Sequence, residues 1–319
     1  MSLADVDMDL SLARIEEAAR RIDPVFLNTP QYADDLLDKA LGRHIIVKVE
    51  TANPLRSFKG RGADFFINGV EAGGKVVCSS TGNFGQAIAY AARRRDIVVE
   101  IFVPETINPT KLARMQSFGA RVTAVGHDSA AAEAAAREHV ATTKDCLYVE
   151  DGREPAIAEG AGTIGLELLE AGPFDTVVVP VGDGALIGGI ARVMKERAPN
   201  TRIVGVCAAG APCMALSWRA GGPVATDTSH TIAEGIEVRV PVPESVARLV
   251  ALVDDMVLVD DTSLLAAMEL AAETLGLLLE PSGAAGLAAI RAHDLPGPRV
   301  ATVLTGSNLR PEHLRELGR

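Results

Sequence analysis

The sequence predicts an α/β protein built as two doubly wound lobes, and three observations lead there. Short apolar, β-rich bursts alternate with alanine-rich stretches of helical period. The bursts are continuous runs, the pattern of parallel strands covered on both faces by helices. Glycine-rich turns follow several bursts directly, where strand passes into helix. In order, the bursts are HIIVKVE from His44, KVVCSS from Lys75, DIVVEIFVP from Asp96, ARVTAVG from Ala120, DTVVVPVG from Asp175, TRIVGVCA from Thr201 and RVATVLTG from Arg299. Between them lie the helical stretches GQAIAYAARRR, PTKLARMQSFG, DSAAAEAAAREHVAT, GTIGLELLEAG, ALIGGIARVMKERA and SLLAAMELAAETLG. The second should stop at Gly119 and the last at Gly276, since glycine takes the left-handed conformation that closes a helix. EDGREPA, at residues 150–156, is the best turn-rich seam between lobes.

Composition narrows the function. At 319 residues the chain holds one or two domains. With 48% apolar and 23% charged residues it is not disordered as a whole. A net charge of −11 argues against a nucleic-acid or anionic-membrane surface, and 4% aromatics leave few platforms for bases. Cys78, Cys146, Cys207 and Cys213 form no CxxC pair and have no histidine at zinc spacing, which suits a reducing compartment and predicts neither disulfides nor a metal. No apolar run reaches the roughly 18 residues of a membrane span, and the acidic, amphipathic N-terminus is unlike a signal peptide. The expectation is a cytoplasmic protein acting on a small molecule.

Three segments are candidates for chemistry. Ser79-Ser80-Thr81-Gly82-Asn83-Phe84-Gly85 puts hydroxyls and free amides at a helix start, a site for a carboxylate or phosphate, or else an ordinary capped turn. Val181-Gly182-Asp183-Gly184-Ala185-Leu186 before IGGIARVMKER suits a phosphate cradle. Its spacing is GxGxxxG, and the next strand ends in IVGVCAAG without an acid for a ribose, so a nicotinamide site is set aside. The third is NPLRSFKGRG. The chain has seven lysines against twenty-four arginines, and Lys59 sits between Phe58 and Gly60 with Arg56 and Arg61 nearby. Cationic neighbours and partial burial would favour its free amine as a nucleophile, although most lysines are merely solvated.

Together these segments resemble the fold-type-II pyridoxal-phosphate enzymes, the group of threonine and serine dehydratases, serine racemase, threonine synthase and cysteine synthase. The resemblance runs from about Ile22 to Leu309. KVETANPLRSFKGRGA is similar to the motif of the Schiff-base lysine, which implies that role for Lys59, with Phe58 beside the cofactor. SSTGNFGQ resembles the asparagine loop. It implies that Asn83 bonds the cofactor's ring hydroxyl and that Ser80, Thr81, Gly82 and Asn83 hold the substrate carboxylate. PVGDGALIGGI resembles the tetraglycine loop, implying that Gly182, Asp183, Gly184, Ala185 and Leu186 cup the phosphate. LTGSN resembles the segment whose hydroxyl faces the pyridine nitrogen, here Thr305. Glu280, in LGLLLEPSG, would lie near the cofactor face or be a plain helix-end acid before a Pro-Gly turn. The implied fold is of the tryptophan-synthase-beta-like kind with the cofactor in the cleft between lobes. Residues 1–75 with 155–319 would form the large cofactor-binding domain and 76–154 a small mobile domain.

GAGTIGLELL, TIAEGIEV and LLLEPSGAAGLAAI lean toward the dehydratases. The resemblance then implies β-elimination from threonine, serine or a related β-hydroxy amino acid, with Lys59 as base and no catalytic histidine. A threonine synthase or other β-replacement enzyme, a specialised dehydratase such as the hydroxyectoine-utilisation type, and a non-catalytic binding module are the alternatives. The departures are Phe84 for histidine, Thr305 for serine, Asp183 and Ala185 for glycines and Ala161 for glutamine. Racemase metal acids would fall on Cys207 and Cys213, so no activating divalent cation is expected, and its second-face serine would fall on Thr81, which argues against racemization. Relatives of this kind are commonly dimers or tetramers, which implies a homo-oligomer.

Overall fold

The protein is described by a computed structural model covering residues 9–107, 109–127 and 129–317. Two sheets carry it. The larger runs in the order β1 (Gln31–Tyr32), β2 (His44–Val49), β10 (Arg299–Leu304), β7 (Thr176–Pro180), β8 (Arg202–Ala208), β9 (Asp255–Val259). The smaller runs β5 (Arg121–Ala124), β4 (Val98–Val103), β3 (Lys75–Ser79), β6 (Cys146–Tyr148). Every pairing is parallel except that of β1 with β2. Each apolar burst is a strand, and β7 is buried at all five positions, as its unbroken TVVVP predicts.

Three strands escape the sequence reading for physical reasons. β1 and β6 have two and three residues, too short for any period. β9 follows the apolar stretch LVALV with only Asp254 between, so its run has no clear start.

Helices α1 (Leu12–Arg21), α2 (Asp35–Leu41) and α3 (Lys59–Asn68) come first, and α4 (Asn83–Ala92), α5 (Pro109–Ser117) and α6 (Ser129–Thr142) connect the small sheet. The chain then returns to the large sheet through α7 (Pro155–Ala171), α8 (Ala185–Arg197), α9 (Cys213–Ala220), α10 (Pro243–Leu252), α11 (Asp261–Leu275), α12 (Pro281–Ala292) and α13 (Pro311–Leu317). Gly119 (φ 92°) and Gly276 (φ 66°) lie in the left-handed region just beyond α5 and α11, where the sequence puts the stops.

The start of α3 is fixed by a buried charge cluster. Arg61 is fully buried and forks onto two acids. It donates to Glu50 at 2.8 and 2.9 Å and to Glu167 at 2.6 and 2.9 Å. Lys48, on β2, is 2.6 Å from Glu167 as well. The cluster ties α3 to β2 and α7, and it corrects the expectation that Arg61 acts as a cationic neighbour of Lys59. Its charge is spent on Glu50 and Glu167, which outweigh the burial that opposes it and hold the guanidinium firmly protonated.

Candidate active site

A cavity of about 270 Å³ opens between the two sheets, at the carboxyl ends of the strands. It is lined by every residue that the resemblance assigns to the cofactor or substrate: Phe58, Lys59, Ser80, Thr81, Gly82, Asn83, Gly182, Asp183, Gly184, Ala185, Leu186, Glu280 and Thr305.

Lys59 is the first residue of α3, and its ammonium lies 4.7 Å from the Phe58 ring centre. The turn before it is pinned to the segment after β10. Phe58 N–H donates to Thr305 C=O at 3.1 Å, and Ser57 bridges Gly306. Two stretches some 250 residues apart are thus locked together by backbone bonds.

The Ser79–Gly85 turn is a capped turn that also lines the cavity. Ser80 Oγ caps α4, accepting from Gly82 N–H at 3.3 Å and Gly85 N–H at 3.1 Å, while the turn also faces the cavity. Asn83 Nδ2 donates to Glu280 Oε1 at 2.7 Å, and its Oδ1 accepts from Asn308 Nδ2 at 2.8 Å. Glu280 also accepts from Asn308 N–H at 3.0 Å. Burial pushes its carboxyl above the ordinary range against these bonds. The helix-end reading of Glu280 is corrected: Pro281 begins α12, so Glu280 precedes a helix start. Thr305 is buried, its hydroxyl 3.4 Å from Ser282 C=O.

At the start of α8, Gly184 takes φ 89°, and a Cβ there would stand 2.1 Å from Ser245 Oγ. That turn leaves the first amides of a 13-residue helix facing the cavity, a seat for a phosphate. Asp183 replaces a glycine of the resembled loop but is directed toward the turn at residues 150–153. Its Cβ lies 2.9 Å from where a Cβ on Gly152 would stand. Burial, then the charge of Asp151, pushes the Asp183 carboxyl up to about 7.

Several lining residues were missed from the sequence. Asp151, on the seam, forms an ion pair with the Lys59 ammonium, both side chains being largely buried. Asn308 joins Asn83, Glu280 and Leu55 C=O. Lys111 on α5 and Arg310 both pair with Glu234, in the 3-10 turn Glu234–Ile236, and close one rim across the two sheets. Burial holds the Lys111 ammonium below its ordinary range, with Arg310 adding to the effect. The sequence carried one usable signal: an acid, Asp151, at the proposed lobe boundary.

Residues 22–306 match the family described as pyridoxal-phosphate dependent enzyme. The chain belongs to the fold-type-II pyridoxal-phosphate enzymes, in the threonine dehydratase family. It is 34% identical over 302 residues to an L-threonine ammonia-lyase of Geobacter sulfurreducens, covering 92% of this chain and 75% of that one. It is 32% identical to a biosynthetic L-threonine dehydratase of Pasteurella multocida, covering 88% of this chain but only 56% of that protein's length. The solved structure of maize serine racemase superposes with a TM-score of 0.90 at 29% identity over 96% of each chain. Pyridoxal phosphate is therefore the family's cofactor, and the residues present fit it. The amine of Lys59, the amides at the start of α8 and the Asn83 and Thr305 side chains all face one cavity. Glycine at 182 lets the loop pack close against Gly235, whose C=O would stand 2.6 Å from a Cβ there.

Proposed function

We propose that the protein removes the β-hydroxyl from L-threonine, L-serine or a related β-hydroxy amino acid, releasing a 2-oxo acid and ammonia. The observation that carries this reading is the presentation of the Lys59 amine, the Ser80–Asn83 loop and the α8 amides around one cavity. The threonine ammonia-lyase and threonine dehydratase relatives support the reaction class.

Bound pyridoxal phosphate supplies an electron sink that makes the Cα proton acidic. The chain's own residues do the rest. Lys59 would hold the cofactor through its amine, and its freed Nζ would take the Cα proton. Amides and hydroxyls of Ser80, Thr81, Gly82 and Asn83 hold the substrate carboxylate at the start of α4. Gly182 to Leu186 would hold the phosphate, Phe58 would border the cofactor, and Asn83, backed by Glu280 and Asn308, would bond its ring hydroxyl. The neutral hydroxyl of Thr305 would face the ring nitrogen. Residues 76–154 would act as a small lobe closing on a large lobe of residues 1–75 and 155–319, keeping bulk water from the site while the Cα proton is transferred. We place the protein in the cytoplasm as a homodimer or homotetramer. Its four cysteines are unpaired, and among the described residues no helix is long and apolar enough to cross a membrane.

The test is release of 2-oxo acid and ammonia by purified protein from L-threonine, L-serine, threo-3-hydroxyaspartate and O-phosphohomoserine with added pyridoxal phosphate. Oxo acid from any β-hydroxy amino acid supports the reading, and the fastest names the substrate. Silence on all of them with turnover of O-phosphohomoserine would replace it with a synthase.

A further inference from the structure

The seam between the small sheet and α7 delivers a carboxylate to the one atom on which the proposed reaction turns. Asp151 is paired with Lys59 Nζ, from a position 92 residues away in sequence. The placement is enforced. Gly152 takes φ 80°, and its own Cβ would stand 2.4 Å from Asp183 C=O, so the turn lies directly on the phosphate loop. Arg248, on α10, holds the turn's backbone, donating to Gly152 C=O at 2.7 Å and Arg153 C=O at 2.8 Å.

Other groups in the cavity are committed elsewhere. Glu280 accepts from Asn83 and Asn308, and Lys111 pairs with Glu234. Asp183 and Glu150 are the further acids that act on this turn, and Glu150 is itself paired with Arg137 and Arg153. Among the described residues, Asp151 is the carboxylate that contacts the lysine nitrogen.

We propose that Asp151 is a second catalytic residue, the acid that protonates the departing β-hydroxyl. The inference rests on the β-elimination reading. Lys59 Nζ takes the Cα proton, and the electrons of the Cα–H bond form the Cα–Cβ double bond as the Cβ–O bond breaks. Lys59 passes that proton to the Asp151 carboxylate, and the oxygen leaves with its bonding pair and takes it from Asp151 to become water. One proton travels from Cα through Lys59 and Asp151 to the leaving oxygen, and no outside acid or base is consumed.

Leaving groups separate this role from a structural one. Hydroxide needs a proton to depart and chloride does not. Asp151→Asn and Asp151→Ala are compared with wild type, all loaded with pyridoxal phosphate, on L-serine, L-threonine and β-chloro-L-alanine. The expected result is a loss of about 10²-fold or more in kcat on the hydroxy amino acids, with chloroalanine elimination within about fivefold of wild type. Asp151→Glu should recover part of the loss. A readout free of turnover accompanies it: the pH midpoint of the cofactor's visible band. Removing a negative charge from beside the lysine nitrogen destabilises its proton, so the midpoint should fall by about one pH unit in Asp151→Asn. Equal losses on both leaving groups, or an unchanged rate on serine and threonine, would overturn the assignment of Asp151 while leaving the β-elimination reading intact. A wild type inert toward chloroalanine and every hydroxy amino acid would overturn that reading, and this inference with it.

Discussion

Replacing Arg61 by methionine tests whether the buried charge cluster holds the lysine-bearing helix in place. Arg61 and Glu50 are both fully buried, and the guanidinium makes four charge-assisted bonds to Glu50 and Glu167. In Arg61→Met, Glu167 keeps Lys48 at 2.6 Å. Glu50 keeps only the Thr29 hydroxyl at 2.6 Å among its side-chain partners. The cost therefore falls on Glu50. Breaking a buried pair from one side costs about 3–5 kcal/mol, so a loss near 4 kcal/mol is expected. For a chain of this size that lowers Tm by roughly 10 °C. Thermal and urea unfolding followed by circular dichroism measure it, and the visible cofactor band reports whether Lys59 still attaches pyridoxal phosphate. The double variant Arg61→Met/Glu50→Gln removes the stranded charge and should recover about 2 kcal/mol. A loss under about 1 kcal/mol, or no recovery in the double variant, would refute the idea that this cluster anchors α3.

Other perturbations follow from the same geometry. Lys59→Ala should lose both the visible cofactor band and all oxo-acid release; a variant retaining both would remove Lys59 from its role. Asp183 has its carboxyl pushed from 3.8 up to about 7 on folding, so ionisation favours the unfolded chain as pH rises through that window. Asp183→Asn should therefore gain stability relative to wild type between pH 4 and 7 and keep a constant advantage above it, measured as the difference in urea midpoints; a pH-independent difference would contradict this. Gly152→Ala forces a Cβ to 2.4 Å from Asp183 C=O at φ 80°, which should cost about 1–3 kcal/mol and weaken cofactor retention, read by dialysis and absorbance.

The site was legible where it follows from strand-to-helix turns. Asn83 begins α4 after β3, and Ala185 begins α8 after β7. In a wound α/β lobe such turns must lie at the carboxyl edge of the sheet, so their hydroxyls and glycines had to meet at the cleft. Residues on connections carried no such rule. Asn308 touches Leu55, Asn83 and Glu280 from a stretch with no regular structure, and its place depends on three distant segments docking together. Glu234, Lys111 and Arg310 meet only because α5 of the small sheet reaches the 3-10 turn beside the large one. The fold was similarly clear in its buried central strands and obscure at β1 and β6, whose two and three residues fall below any period.

Lys59 itself shows where sequence proximity misleads. Arg61 follows it by two residues, and two residues along a helix turn about 200°, so side chains at that spacing point to opposite faces. Once Lys59 is recognised as a helix's first residue, Arg61 is directed away from the cavity, toward Glu50 and Glu167. The electrostatic neighbour of the amine is then set by tertiary structure. It is an acid, Asp151, held by a left-handed glycine and an arginine on α10. The sign of that neighbour matters for the chemistry. A flanking cation would only drive the proton off the amine. A carboxylate can accept it and pass it on, which is what an amine that must collect a Cα proton and be ready for the next turnover requires.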